Sequence, residues 1–160
     1  MSSVQTRVQK AAAWYYERGF TPLPVAPRQK VPTVDWKQFQ DKRPTRDEAM
    51  KLFESCDPHS NIALLMGHGG LFAVDFDGHE KAMSLFLAAG FSMPDGCPVN
   101  TTAKGYHHLM RSKKPIPDKV AWLKDQKSGA QIDIRGKGII VVPPSTHETG
   151  FDYKWYKQPT

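Results

Sequence analysis

Cysteine is scarce: Cys56 and Cys97 are the only two in 160 residues. They lie far apart and form no Cys-x-x-Cys pair, which argues against a disulfide framework and a zinc site and leaves two reduced thiols. No apolar run approaches the roughly 20 residues that span a bilayer, so no membrane partner is expected. The opening Met1-Ser2-Ser3-Val4-Gln5 lacks a basic region followed by an apolar stretch, so no secretory signal is expected and a cytoplasmic location is the default. Gly/Ser-rich linkers and repeats are missing too, and residues 1–160 read as a single domain. There is no long Lys/Arg block, yet the net charge is +6. A dispersed positive charge points to a folded basic surface and an acidic partner, nucleic acid first, rather than to a disordered basic tail.

What is present is an ordinary globular composition, 39% hydrophobic and 24% charged, enough to bury a core without covalent staples. Val4, Val8, Ala11, Ala12 and Tyr15 recur at helical spacing before Gly19, predicting a helix over about 4–18. Phe20 to Val25 reads as a short extended segment, and 26–44 as a long, proline-rich basic loop. Thr45-Arg46-Asp47-Glu48 has capping-box spacing and should start a second helix carrying Ala49, Leu52 and Phe53. Asn61–Met66 and Leu71–Phe76 read as two strands joined by the Gly67–Gly70 turn. Ala82, Leu85, Phe86 and Ala89 mark a third helix, ended by Gly90. Pro98–Thr102 and Tyr106–Met110 suggest a hairpin around Lys104-Gly105. Ile132–Ile134 and Ile139–Val142 suggest another, turned at Gly136-Lys137-Gly138, and Tyr153–Tyr156 is expected to close the sheet. Hairpin-linked strands after initial helices predict α+β with a largely antiparallel sheet.

Four segments carry candidate chemistry. In Val74-Asp75-Phe76-Asp77-Gly78, strand alternation sends Val74 and Phe76 inward and projects Asp75 and Asp77 together on the other face. Two close carboxylates repel unless a cation lies between them, and hard divalent ions prefer such oxygen ligands. In Gln131-Ile132-Asp133-Ile134-Arg135 a third acid sits between β-branched residues, with Arg135 on its own face. Three carboxylates on neighbouring strands suit a two-metal site for in-line attack on phosphorus. In Thr102-Ala103-Lys104-Gly105-Tyr106-His107-His108, one histidine faces the site and the other faces away, and the Lys104-Gly105 turn can bring an ammonium and a backbone N–H to phosphate. In Val142-Pro143-Pro144-Ser145-Thr146-His147 a rigid turn presents Ser145 and His147 at a strand end, either for phosphate or as plain turn chemistry. Lys30 is a weaker candidate for reaching phosphate.

In this order and spacing the segments resemble the N-terminal domain of bifunctional DNA primase/polymerases, in the archaeo-eukaryotic primase superfamily. The resemblance runs from Ala12 to about Trp155, through the "AAAWYYERGFTPLPVAP" opening, the "KVP" turn, Trp36, "NIALLMG", "LFAVDFDG", "TTAKGYHHLM", "IDIRGKGIIVVPPSTHETG" and "YKW". It implies an RNA-recognition-motif-like, mostly antiparallel sheet with helices, joined to a small N-terminal α/β unit. It also implies that Asp75, Asp77 and Asp133 hold two Mg²⁺ or Mn²⁺ ions and carry the catalysis. His107 would contact the incoming nucleotide's phosphates, with Arg135, Ser145 and His147 as neighbouring contacts and Lys104 in the adjoining turn. The implied activity is template-dependent nucleotidyl transfer, adding a dNTP or NTP to a primer end or a first nucleotide on single-stranded DNA. Such proteins commonly continue into a helical domain and often a helicase, which are not among residues 1–160 and are expected as partners. The family's second motif usually has a small residue and paired glycines before the histidine. Here Ala103-Lys104-Gly105 stands there and His108 follows directly, so both histidines compete for the phosphate, with the motif register pointing to His107.

Two other classes fit parts of the pattern. "VDFDG" resembles the Asp-x-Asp-Gly motif of haloacid-dehalogenase-type phosphatases, in which Asp75 would be the nucleophile, although His79-Glu80 follows instead of the usual Thr-Leu. A non-catalytic nucleic-acid-binding module of the same fold is the other, and the intact acid triad counts against it, because uncompensated buried charge is destabilising.

Overall fold

In the computed structural model, which describes residues 4–160, a reciprocal cap starts the first helix. The Thr6 hydroxyl accepts from the Gln9 backbone N–H (3.2 Å) and the Gln9 side chain accepts from the Thr6 N–H (2.9 Å). Helix α1 (Arg7–Glu17) follows, so Val4 lies before it and is exposed. Val8, Ala12 and Tyr15 form its buried stripe. The buried Tyr15 hydroxyl donates to the Pro143 carbonyl and ties the helix to the far end of the chain.

Strand β1 (Pro22–Val25) leads into the basic loop, which is held by a Val25–Pro32 bridge and a 3₁₀ turn over Lys37–Gln40. Helix α2 (Arg46–Lys51) starts at the expected cap, Thr45, whose hydroxyl accepts from the Glu48 N–H (3.2 Å). It is shorter than expected: Leu52 and Phe53 fall just beyond it, with Phe53 fully buried.

The remaining elements are β2 (Asn61–Leu65), β3 (Leu71–Asp77), α3 (Glu80–Ala88), β4 (Val99–Thr101), β5 (Gly105–Arg111), β6 (Lys119–Lys124), β7 (Gln131–Arg135), β8 (Ile139–Val142) and β9 (Trp155–Lys157). They form two antiparallel sheets, β1-β2-β8 and β6-β7-β3-β5-β4-β9. The fold is therefore α+β with few helices.

The strands joined by the two glycine turns are present but do not pair with each other. β2 and β3 are consecutive but belong to different sheets. Gly67 and Gly70 take positive φ (106° and 75°), and the short turn between them leads the chain out of the first sheet into the second. β7 and β8 are likewise split between sheets. Both edges of β7 are already taken, by β3 and β6, and no edge is left for β8. The Asp118 carboxylate accepts the N–H groups of Gly136 (2.6 Å) and Lys137 (2.9 Å), which pins the exit. β8 pairs instead with β2, so the small unit is not purely N-terminal.

Strand β6 has no counterpart in the expected elements. It is an edge strand whose ladder with β7 is irregular between Lys119 and Leu123, where Ala121 adopts φ 51°. β9 pairs with β4 and ends the sheet, close to where Tyr153–Tyr156 was expected to do so.

One face of the six-stranded sheet packs on α3, while the other carries the candidate site at one end and joins the α1 core at the other. Val74, Phe76 and Ile132 bury against Ala82 and Phe86 of α3, with the Phe76 and Phe86 rings edge to face at 5.3 Å. Burying a phenylalanine this fully contributes about 1.5–3 kcal/mol. The small sheet is covered on both sides, by α1 over Ile62, Leu64 and Val142 and by Phe39 over Leu23 and Leu65. The α1 core also takes in Leu71, Ala73 and Leu109, so the two sheets share it. Among the described residues no helix is long and apolar enough to cross a membrane.

Candidate active site

Register assembles the site. Asp75 of β3 lies directly opposite Asp133 of β7 on one side and His107 of β5 on the other. Side chains directly opposite in a sheet share a face, so the three form one row across three strands. Asp77, two residues on, extends the same face and pairs with Gln131 and Gly105. Gly105 permits a close approach: a Cβ there would run into the Phe76 carbonyl oxygen.

The contacts within the row are polar and mostly buried. His107 Nε2 lies 3.6 Å from Asp75 Oδ1. The Arg135 guanidinium lies 4.0 Å from Asp75 Oδ2 and 3.3 Å from Asp133 Oδ2, bridging the two acids. Asp133 is further held by the Ala121 backbone N–H (2.7 Å) and the Gln131 amide (2.8 Å), both on Oδ1. The irregularity in β6 thus aims a backbone donor at a site acid. Among the described residues no three His, Cys, Asp or Glu groups converge as a ready-made metal cage. Asp133 is turned toward its donors, while Asp75 and Asp77 remain as the neighbouring oxygen pair.

The two acids of β3 are driven in opposite directions. Burial raises the Asp75 carboxyl, but His107, Arg135 and Lys30 outweigh it and hold it below the usual carboxylate range. Burial also raises Asp77, and the nearby charges of Asp75 and Asp133 add to this; Lys104 opposes them without reversing the outcome. Asp77 is therefore the acid of the pair whose charged form is disfavoured. Burial, with Asp75 and Asp77 behind it, also pushes the Tyr153 phenol up to about 12, which marks Tyr153 as a neighbour of the acids.

The histidine pair divides as strand alternation requires. His107 faces Asp75. His108 faces α3, with its ring 4.9 Å from Phe76 and its Nδ1 3.7 Å from Cys97 Sγ. Burial, and next to it His107, lower its pKa to about 4. Lys104 sits in the β4–β5 turn, where its carbonyl accepts from the Gly78 N–H (2.8 Å).

Ser145 and His147 stand apart from the row. The Ser145 hydroxyl accepts from the Ile62 N–H (2.9 Å) and donates to the Ile62 carbonyl (3.2 Å), closing the end of β2. The contacts of His147 lie within its own loop, to Thr149 and Phe151. Their link to the site is indirect: the Ser145 carbonyl accepts from the N–H of Tyr153 (2.9 Å).

An acid pair on one strand, a third acid and a histidine in register beside it, and flanking Lys and Arg gather on one face of the sheet. In a comparison with known protein families, residues 12–160 match "Bifunctional DNA primase/polymerase, N-terminal". The chain belongs to this family. Its family-level activity is that of a DNA primase/polymerase-type nucleotidyltransferase. A search of curated proteins returned no match. Membership in the primase/polymerase family sets aside the phosphatase reading, and so does the topology. Both neighbours of β3 are antiparallel, whereas strand–helix alternation would give parallel ones.

Sequence reasoning missed the Ala121 N–H, Asn100 and the proximity of Tyr153. Nothing in Lys119–Lys124 announces an inward-turned amide. Asn100 and Tyr153 are unremarkable as letters and gain their place only from pairing and from the return of the chain after β8.

Proposed function

We propose that the chain is a template-dependent nucleotidyltransferase that adds a dNTP or NTP to a primer end, or to a first nucleotide, on single-stranded DNA. The observation that supports this most is the row Asp133–Asp75–His107 in direct register, with Asp77 on the same face. Asp75 and Asp77 offer hard oxygen donors suited to Mg²⁺ or Mn²⁺, and the raised Asp77 carboxyl marks charge that a cation would relieve. Asp133 would join them as the third ligand once Arg135 turns to the substrate. When bound, two such ions supply charge neutralisation at the attacking hydroxyl and the leaving pyrophosphate.

The chain's own residues do the positioning. His107 and Arg135 hold triphosphate oxygens, Lys104 approaches them from the β4–β5 turn, and Ser145 and His147 support the neighbouring wall. Catalysis then rests on orientation and electrostatics rather than on a covalent intermediate. The order β7-β3-β5-β4 with α3 as the crossover supports an RNA-recognition-motif-like reading of this sheet. We infer one catalytic unit over 1–160, a cytoplasmic setting and a helicase or helical domain as its partner.

Primer extension and unprimed synthesis on single-stranded DNA, with Mg²⁺ and Mn²⁺ and with dNTPs and NTPs separately, test the reading. Asp75→Asn and Asp77→Asn should each lower synthesis at least about 10²-fold. Wild-type rates in both variants would remove the metal assignment. Binding of DNA with neither synthesis nor divalent-ion affinity would favour a non-catalytic module.

A further inference from the structure

The polar row continues past His107. Asn100 of β4 is its cross-strand partner on the side away from Asp75, and it is completely buried. Its Nδ2 lies 3.1 Å from the Thr101 carbonyl oxygen and 3.3 Å from His107 Nδ1. A carbonyl oxygen only accepts, so the Thr101 contact fixes which end of the amide is the nitrogen. That nitrogen carries two hydrogens. With one given to Thr101, the other points at His107 Nδ1, which must be the bare, accepting nitrogen of the ring. The ring proton is thereby left on Nε2. Nε2 is the atom 3.6 Å from Asp75 Oδ1. Asn100 Oδ1 has no donor among the described residues, so no competing bond turns the amide over.

We propose that Asn100 is a positioning residue that locks His107 in its Nε2–H tautomer, so that a hydrogen donor faces Asp75 and the substrate phosphate. Phosphate and carboxylate oxygens accept only, and the other tautomer would set lone pair against lone pair. The functional consequence rests on the assignment of His107 to the nucleotide's phosphates; the tautomer itself does not. Asn100→Asp is the informative change, because a carboxylate of the same shape can only accept. It should draw the proton to Nδ1 and leave Nε2 bare.

The test is a long-range proton–nitrogen correlation spectrum of the histidine rings, recorded at alkaline pH without metal or nucleotide. His107 is assigned through its ring-to-backbone correlations. The wild-type spectrum should show a protonated Nε2 and a bare Nδ1, and Asn100→Asp should reverse them. In steady-state synthesis the variant should raise the nucleotide KM about tenfold with little change in kcat, as expected when one charge-assisted contact is lost from both ground and transition states. An Nδ1–H tautomer in the wild-type protein overturns the proposal, and needs no variant to fold. An unchanged tautomer in a folded Asn100→Asp protein overturns it as well. Reversal of the tautomer with an unchanged KM upholds the role of Asn100 and removes instead the phosphate assignment of His107.

Discussion

At the residue scale, the two acids of β3 should respond oppositely to neutralisation. The folded state depresses Asp75, so its contribution is present above the unfolded pKa and is lost as pH falls through the folded value. Asp77 is raised, so its contribution is present below the unfolded pKa and is lost as pH rises through the folded value. In chelator at neutral pH, Asp77→Asn should therefore raise Tm and Asp75→Asn should lower it, by about 2–4 °C for each kcal/mol in a domain of this size. Melting curves of the two variants check the sign, and a common direction would refute it. His108 gives a second pH signature. It is buried and held at about 4, so the unfolded chain takes up a proton below about 6.5 that the folded chain refuses. Stability should fall as pH drops from about 6.5 to about 4, by on the order of 2–3 kcal/mol. Denaturant titrations of His108→Phe should show that slope flattened. Synthesis should persist in this variant, since the ring faces α3, and should drop with His107→Ala.

At the element scale, the β3–β5 ladder sets the spacing of the site, and Gly105 is its tightest point. Gly105→Ala forces a Cβ against the Phe76 carbonyl and must push β5 away from β3 or shift the register. A loss of about 2 kcal/mol or more is expected in urea unfolding, with synthesis lost more steeply than stability as His107 leaves Asp75. The elements themselves were largely legible. Val74 and Phe76 alternate with Asp75 and Asp77, Thr45 and Glu48 spell a cap, and Ala82 and Phe86 carry a helical period. Of the pairings, sequence disclosed the β4–β5 hairpin around Lys104-Gly105 but not the passage between sheets. Gly67–Gly70 and Gly136–Gly138 look like hairpin turns, yet each passes the chain from one sheet to the other, because the choice of neighbour depends on edges filled by distant strands. The candidate acids were readable because Asp75 and Asp133 each sit between apolar residues on a strand and Asp77 follows the core residue Phe76. Asn100, Ala121 and Tyr153 were not, since their roles exist only in register or in an irregularity of the ladder.

At the scale of the whole molecule, the two sheets should unfold together. Leu71, Ala73 and Leu109 of the large sheet pack in the same core as Ile62, Leu64 and Val142 of the small one. Far-UV circular dichroism and tryptophan fluorescence should give coincident urea transitions, and separated midpoints would show two independent units. The net charge of +6 bears on the proposed partner: affinity for single-stranded DNA should fall linearly on a log–log plot against salt, with a slope of about −0.7 per phosphate neutralised. The placement of β8 also has a consequence for synthesis on the ribosome. β2 is the middle strand of the small sheet, but its second partner, Ile139–Val142, is translated more than seventy residues after Leu65. Until then a nascent chain carries an apolar strand with one bare edge, open to any strand that meets it first. Messages or cleavages that end short of Ile139 should yield aggregates rather than a smaller folded product, and Ile139–Val142 serves as the chaperone of Asn61–Leu65.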